Sequence, residues 1–144
     1  MIIANAEWEV MRVVWTKGQT TSGEILETLR QKTQWSSSTV KTLLKRLVGK
    51  GCLQAEKQGK QFIYSALISE ESSMSEQAAI LLDKFCQRRY PALIEHLLDA
   101  SPMTLDDIER LQALLARKRA EAVAEIPCHC IQGQCRCKEN TEVF

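Results

Sequence analysis

Val40, Leu43, Leu44, Leu47 and Val48 recur at i, i+3, i+4, i+7 and i+8, so on a helix all five fall on one stripe. Ser36 supplies an N-cap, Trp35 and Val40 a hydrophobic staple across it, and Gly49 or Gly51 a stop. At about 100° per residue, the opposite face collects Ser38, Thr39, Lys41, Thr42, Lys45 and Arg46, with no acidic residue among them. A polar face of this kind is often only a solvated surface. Free of acids and rich in hydroxyls and cations, it also suits DNA phosphates and base edges.

The neighbouring stretches give this helix a context. Residues 5 to 15 predict a first helix, with Asn5 as N-cap, Glu7 and Glu9 in the positive first turn, and Trp8, Met11, Val14 and Trp15 on a core face. Thr16-Lys17-Gly18-Gln19 breaks that pattern. A second helix opens at the capping box Thr21-Ser22-Gly23-Glu24 and carries Ile25, Leu26 and Leu29 inward. After the third helix, Leu53 to Lys57 and Gln61 to Leu67 alternate as two strands around Gln58-Gly59-Lys60, a short hairpin turn. Three helices and a hairpin predict a winged helix. In that architecture the third helix enters the DNA major groove, and the hairpin, here tipped by Lys57 and Lys60, lies along the backbone. Winged helices also serve as protein-docking modules.

The charge distribution agrees with an anionic partner for the first half. Residues 1–68 hold 10 Lys+Arg against 5 Asp+Glu, a balance of +5, whereas residues 69–144 hold 9 against 13, a balance of −4. With 44% hydrophobic residues the chain can bury a core, and no apolar run approaches the length of a membrane span.

The acidic half predicts three amphipathic helices. Ser73-Met74-Ser75-Glu76 reads as a capping box ahead of Ala78, Leu81, Leu82 and Phe85, on whose face Met74 also lies; Pro91 opens a helix bearing Leu93, Ile94, Leu97 and Leu98. Thr104 caps a third, with Leu105, Ile108, Leu111, Leu114 and Leu115 inward and Arg117-Lys118-Arg119 further on. These helices could pack on their own winged helix as a single core; with no sheet to cover and no obvious fourth partner, the favoured expectation is packing against a second copy of the chain. The predicted organisation is mainly α with a small β-hairpin wing: a winged-helix DNA-binding domain over 1–68, a helical dimerisation region over 69–125 and a cysteine-rich tail over 126–144.

That tail reads Cys128-His129-Cys130-Ile131-Gln132-Gly133-Gln134-Cys135-Arg136-Cys137, two C-x-C pairs four residues apart. In extended backbone, residues i and i+2 project to one side, so each pair forms a two-thiolate claw, and Gly133 lets the chain reverse so that the claws face each other. His129 and Arg136 are then expected to point away. The start Met-Ile-Ile-Ala-Asn-Ala-Glu carries no secretory pattern, which predicts a cytoplasmic protein, and in a reducing compartment clustered thiols favour a metal over disulfides. Zn(II) accepts four thiolates; Cu(I) is also thiolate-loving, and the C-x-C spacing, tighter than that of zinc knuckles, leans towards it. A redox switch is the alternative use of these thiols. Cys52 and Cys86 are expected to be small buried apolar groups, and His96 a surface or core histidine.

Ala6-Glu7-Trp8-Glu9-Val10-Met11, Trp15-Thr16-Lys17-Gly18, Ser38-Thr39-Val40-Lys41-Thr42-Leu43-Leu44-Lys45-Arg46-Leu47 and Phe62-Ile63-Tyr64-Ser65-Ala66 resemble the winged helices of penicillinase repressors of the BlaI/MecI type. With the cysteine tail added, the chain looks like the copper-responsive, CopY-type branch of that family. The resemblance implies a homodimer on a pseudo-palindromic operator, with Zn(II) in the thiolate site, released from DNA when Cu(I) replaces the zinc; a copper-donating protein is a candidate partner. Antibiotic-resistance members are inactivated by proteolysis at an Asn-Phe bond. Here the asparagines are Asn5 and Asn140, neither followed by Phe, so the cysteine tail is the expected input instead.

Other classes leave different marks. A metal storage or transfer protein would use the tail without the basic helix face, and a docking module with structural zinc would bind no DNA in a metal-sensitive way. A thiol oxidoreductase would need a C-x-x-C at a helix start, which is missing, and nothing resembles a catalytic nucleophile set or phosphate loop.

Overall fold

A computed structural model describes residues 2–141. The chain divides into two compact units, Met1–Ala78 and Ala79–Phe144. The tail thus shares a unit with the helices that precede it, and the first unit extends ten residues past the expected boundary at 68.

The first unit contains α1 (Asn5–Lys17), the two-residue strand β1 (Gln19–Thr20), α2 (Ser22–Leu29), α3 (Ser37–Gly49), β2 (Leu53–Gln58), β3 (Gln61–Ala66) and the start of α4 (Glu70–Leu82). Strand order is β1-β3-β2, all antiparallel, with Leu53 opposite Ala66 and Gln58 opposite Gln61. The expected hairpin is therefore present, closed by Gly59-Lys60, where Gly59 adopts φ 65°, a conformation that a side chain would disfavour. Strand β1 had no sequence signal: two residues are too few to show an alternation, and its place is fixed by pairing Gln19 with Ser65 and Thr20 with Tyr64.

The core lies among the three helices and the sheet. Val10, Met11, Val14, Ile25, Val40, Leu44 and Leu47 are fully buried, with Leu29, Leu43, Cys52 and Leu53 beside them. Four of the five residues on the α3 stripe are core; Val48, in the last turn of the helix, is 37% exposed. Trp8 and Trp15 pack edge to face at 5.3 Å, and the indole N–H of Trp15 donates to the carbonyl of Ile68 at 3.0 Å.

Two caps differ from expectation. Asn5 is already helical, and the residue before it, Ala4, has no capping side chain; instead the Glu7 carboxylate accepts the Ala4 N–H at 3.1 Å. Ser73 lies inside α4, buried, donating to the Ser69 carbonyl at 2.8 Å, and it is Ser69 Oγ that accepts the Ser72 N–H. The other N-cap residues are as predicted: Thr21, Ser36 and Thr104 accept the N–H of Glu24, Thr39 and Asp107, but the expected box at Thr21 is only half closed, because the Glu24 carboxylate accepts the Thr20 hydroxyl at 2.9 Å instead.

In the second unit the rest of α4 is followed by a 3-10 turn (Gln87–Arg89), α5 (Tyr90–Ala100), α6 (Leu105–Ala120) and the short α7 (Lys138–Thr141). Its apolar faces are largely uncovered: Ile94, Leu97, Leu98, Ile108, Leu114 and Leu115 are all exposed, and Leu105 is 70% exposed.

Candidate functional site

The polar face of α3 is presented to solvent. Ser38, Lys41, Thr42, Lys45 and Arg46 are exposed and Thr39 is half-buried. Local hydrogen bonds order its hydroxyls: Ser36 Oγ bonds Ser38 Oγ at 3.0 Å and Thr39 Oγ1 at 3.1 Å, and Thr42 donates to the Ser38 carbonyl at 2.9 Å. Lys57, near the end of β2, and Lys60, in the turn, are exposed at the hairpin tip. Phe62, 47% exposed on the same hairpin opposite Lys57, adds an apolar surface there.

The second site is built from the tail. Gly133 adopts φ 88°, the reversal its place in the spacer predicts, and carries Cys135 and Cys137 back towards Cys128. The Sγ atoms of Cys128 and Cys135 are 3.4 Å apart. The fourth sulfur of this group comes from outside the motif: Cys86 Sγ lies 3.8 Å from Cys128 Sγ and 3.7 Å from Cys137 Sγ. All four ligand atoms fall within 4.8 Å of one another. Four thiolates at about 2.3 Å around a tetrahedral zinc stand about 3.8 Å apart, so these spacings fit a thiolate-seeking ion. Cys130 belongs to a second group with Cys86 and His129.

Two expectations are corrected here. Cys86 is not a buried apolar group but half-exposed among the tail thiols, whereas Cys52 is buried as expected and its burial pushes its pKa up. The signal available for Cys86 was its position beyond the apolar stripe, between Phe85 and the polar run Gln87-Arg88-Arg89. His129 does not point away: its Nδ1 accepts the Gln87 N–H at 3.4 Å, its Nε2 meets the Tyr90 hydroxyl at 3.4 Å, and the Tyr90 ring stands edge-on to it.

Neighbouring donors shape the sulfurs. The Asn140 amide, 8% exposed, donates to Cys135 Sγ at 2.8 Å and Cys128 Sγ at 3.3 Å, and the Cys130 N–H to Cys128 Sγ at 3.5 Å. The Cys137 backbone N–H and then Asn140 bring the Cys135 pKa down to about 6, and the Arg88 backbone N–H chiefly lowers that of Cys86. Cys130, by desolvation and then by the Cys86 sulfur, is pushed up to about 12; Cys137, by its bond to Cys135 first, is also raised to about 12.

The family model described as penicillinase repressor matches residues 3–117. The chain belongs to the penicillinase repressor family. It is accordingly a transcriptional repressor rather than an enzyme. It is 37% identical to an uncharacterised 16.5 kDa protein of Latilactobacillus sakei, over 95% of this chain and 94% of that one. It is 29% identical to the methicillin resistance regulatory protein MecI of Staphylococcus aureus, over 81% of this chain and 94% of the relative. Among solved structures, the Bacillus licheniformis BlaI monomer in complex with the blaP half-operator is 37% identical, covers 49% of this chain and 87% of its own, and has a TM-score of 0.44. The family match stops at residue 117, so Cys128 to Cys137 lie beyond what this repressor shares with the family model. Among the described residues, no helix is long and apolar enough to cross a membrane.

Proposed function

We propose that this repressor is a cytoplasmic homodimer whose operator affinity is set by the metal held in its thiol tail: Zn(II) in the DNA-bound form, exchanged for Cu(I) on release, controlling genes of copper homeostasis. Ser38, Thr39 and Thr42 face the major groove; Lys41, Lys45, Arg46, Lys57 and Lys60 meet phosphates. The observation that carries the metal reading is the convergence of Cys128, Cys135 and Cys137 with Cys86 in one S···S network, its links being 3.4 Å from Cys128 to Cys135 and 3.7–3.8 Å from Cys86 to Cys137 and Cys128. Cys130 completes the four tail thiols. Soft sulfur ligands select Zn(II) and Cu(I) over hard cations, and the two ions differ in coordination number, which is what a switch between them requires.

The exposed apolar faces of α5 and α6 support pairing with a second copy, which places two α3 helices on the half-sites of a pseudo-palindrome. Taking an operator from nearly filled to nearly empty needs about 5.5 kcal/mol of differential binding, and linkage requires DNA to oppose the Zn(II)-to-Cu(I) exchange by the same factor.

The test is fluorescence anisotropy of the reduced protein on its own promoter DNA, titrated with Zn(II) and then Cu(I) at fixed salt. Tight binding with zinc that collapses with Cu(I) is the expected result. Binding indifferent to both metals removes the sensor and leaves a repressor; absence of specific binding removes the DNA assignment.

A further inference from the structure

Cys86 lies in the turn between α4 and α5, 42 residues before Cys128, and nothing in the C-x-C spacing asks for it. Yet its sulfur is within 3.8 Å of two tail sulfurs, and it is the member common to both ligand groups: Cys86, Cys128, Cys135 and Cys137 in one, Cys86, His129 and Cys130 in the other. A second, independent set of contacts holds the tail against the same turn. Gln87 Nε2 donates to the Pro127 carbonyl at 2.5 Å, Arg88 Nε donates to the Ile126 carbonyl at 2.6 Å and its guanidinium pairs with Glu125 at 3.6 Å, and His129 is held by Gln87 and Tyr90.

We propose that Cys86 is a ligand of the thiolate centre, supplied from the turn between α4 and α5, so that metal occupancy fastens the tail to that turn. The inference rests on the reading of the tail as a soft-metal site and adds the point at which that site grips the helical unit. A tail carrying all its ligands within ten residues binds metal without constraining anything else. One whose ligand set includes Cys86 closes a loop of more than forty residues, and any change in how the ion uses Cys86 is felt at the α4–α5 junction. The chain keeps a fourth tail thiol, Cys130, in contact with the same cluster. Without Cys86 it still has four thiols to offer an ion, but no covalent route from the ion to the turn.

The test uses the full-length, reduced protein with and without one equivalent of Zn(II), pulsed with N-ethylmaleimide and read per cysteine by peptide mass spectrometry. Zinc is expected to slow alkylation of Cys86 together with Cys128, Cys135 and Cys137, and to lose its effect on Cys86 when those three tail cysteines are replaced by Ser. If zinc protects the tail thiols and leaves Cys86 reacting as fast as in the zinc-free protein, the proposal is overturned and the tail site survives. If zinc protects no tail thiol, the soft-metal reading and the proposal fall together.

Simple covering of Cys86 by the tail is separated by Cys86→Ser, which preserves the local volume. With four tail thiols left, this variant still binds zinc, and the zinc no longer tethers the tail to the turn. The variant should leave residues 121–127 as protease-sensitive with zinc as without. Zinc-dependent protection of that segment in Cys86→Ser would overturn the proposal.

Discussion

Lys50 Nζ lies 2.6 Å from Oε1 of Glu7, a carboxylate only 2% exposed, and so ties the end of α3 to the first turn of α1. The same ammonium reaches the Ile2 carbonyl at 3.0 Å, and Glu7 also accepts the Ala4 N–H, while its Oε2 has no hydrogen-bond partner among the described residues. Among the described residues, Lys50 is the cation on which this carboxylate relies. Lys50→Met should lower unfolding stability by about 1–3 kcal/mol, the cost of a buried acceptor left unsatisfied, measured by urea denaturation. Glu7→Gln should cost less, because the amide oxygen can still accept the Ala4 N–H and no charge is buried.

The face of α3 separates positioning from reading. Replacing Lys45 or Arg46 by Ala should weaken binding to every DNA sequence, and it should reduce the slope of log affinity against log salt by about 1 for each phosphate that the variant no longer neutralises. Replacing Thr42, whose hydroxyl proton is already given to Ser38, should instead change discrimination between operator variants at constant salt slope. Anisotropy at several salt concentrations distinguishes the two. Equal salt slopes for all three variants would remove the assignment of Lys45 and Arg46 to phosphates.

Asp107 closes the capping box of α6. It accepts the Thr104 N–H at 3.1 Å and pairs with Arg110 at 2.7 Å, and these bonds, that of the Thr104 backbone first, hold its carboxyl below its ordinary pKa of 3.8. A carboxyl lowered in the folded state stabilises above its unfolded pKa and loses that contribution as pH falls through the folded value. Amide exchange at the start of α6 should therefore accelerate as pH is lowered past about 4, after correction for intrinsic exchange. In Asp107→Asn the same amides should exchange faster at neutral pH and show no such step.

The exposed stripe on α5 and α6 should be an interface between copies. Leu97→Lys combined with Leu114→Lys is expected to move the protein from dimer to monomer in sedimentation velocity, with the first unit still folded by circular dichroism. Retention of a dimer would place the interface elsewhere.

What could be read in advance follows from range. The α3 helix was legible because its stripe, its Ser36 cap and its terminating glycines are all within reach of one another in sequence, and the Gly59 hairpin likewise. Asn5 misled because a side chain suited to capping stood one residue late, and Glu7 took over the task from three residues inside. Ser73 misled because Ser69 offers the same chemistry one turn earlier. Cys86 could not be inferred from the tail at all: two C-x-C pairs already make a complete set of four thiols, and only the fold of the second unit brings a fifth to them.

Asn140 was likewise silent in the sequence, an asparagine three residues after the last cysteine, yet α7 buries it with its amide on two sulfurs. N–H donors stabilise negative charge on sulfur and fix its direction, and loss of such partners costs about 10–100-fold in metal affinity. Asn140→Ala should thus weaken Zn(II) binding on that scale in competition with a chromophoric chelator, while Asn140→Asp, which puts a carboxylate against two thiolates, should weaken it more. The order matters: if Ala and Asp weakened zinc equally, the role of Asn140 would be packing of α7 and not donation to Cys128 and Cys135.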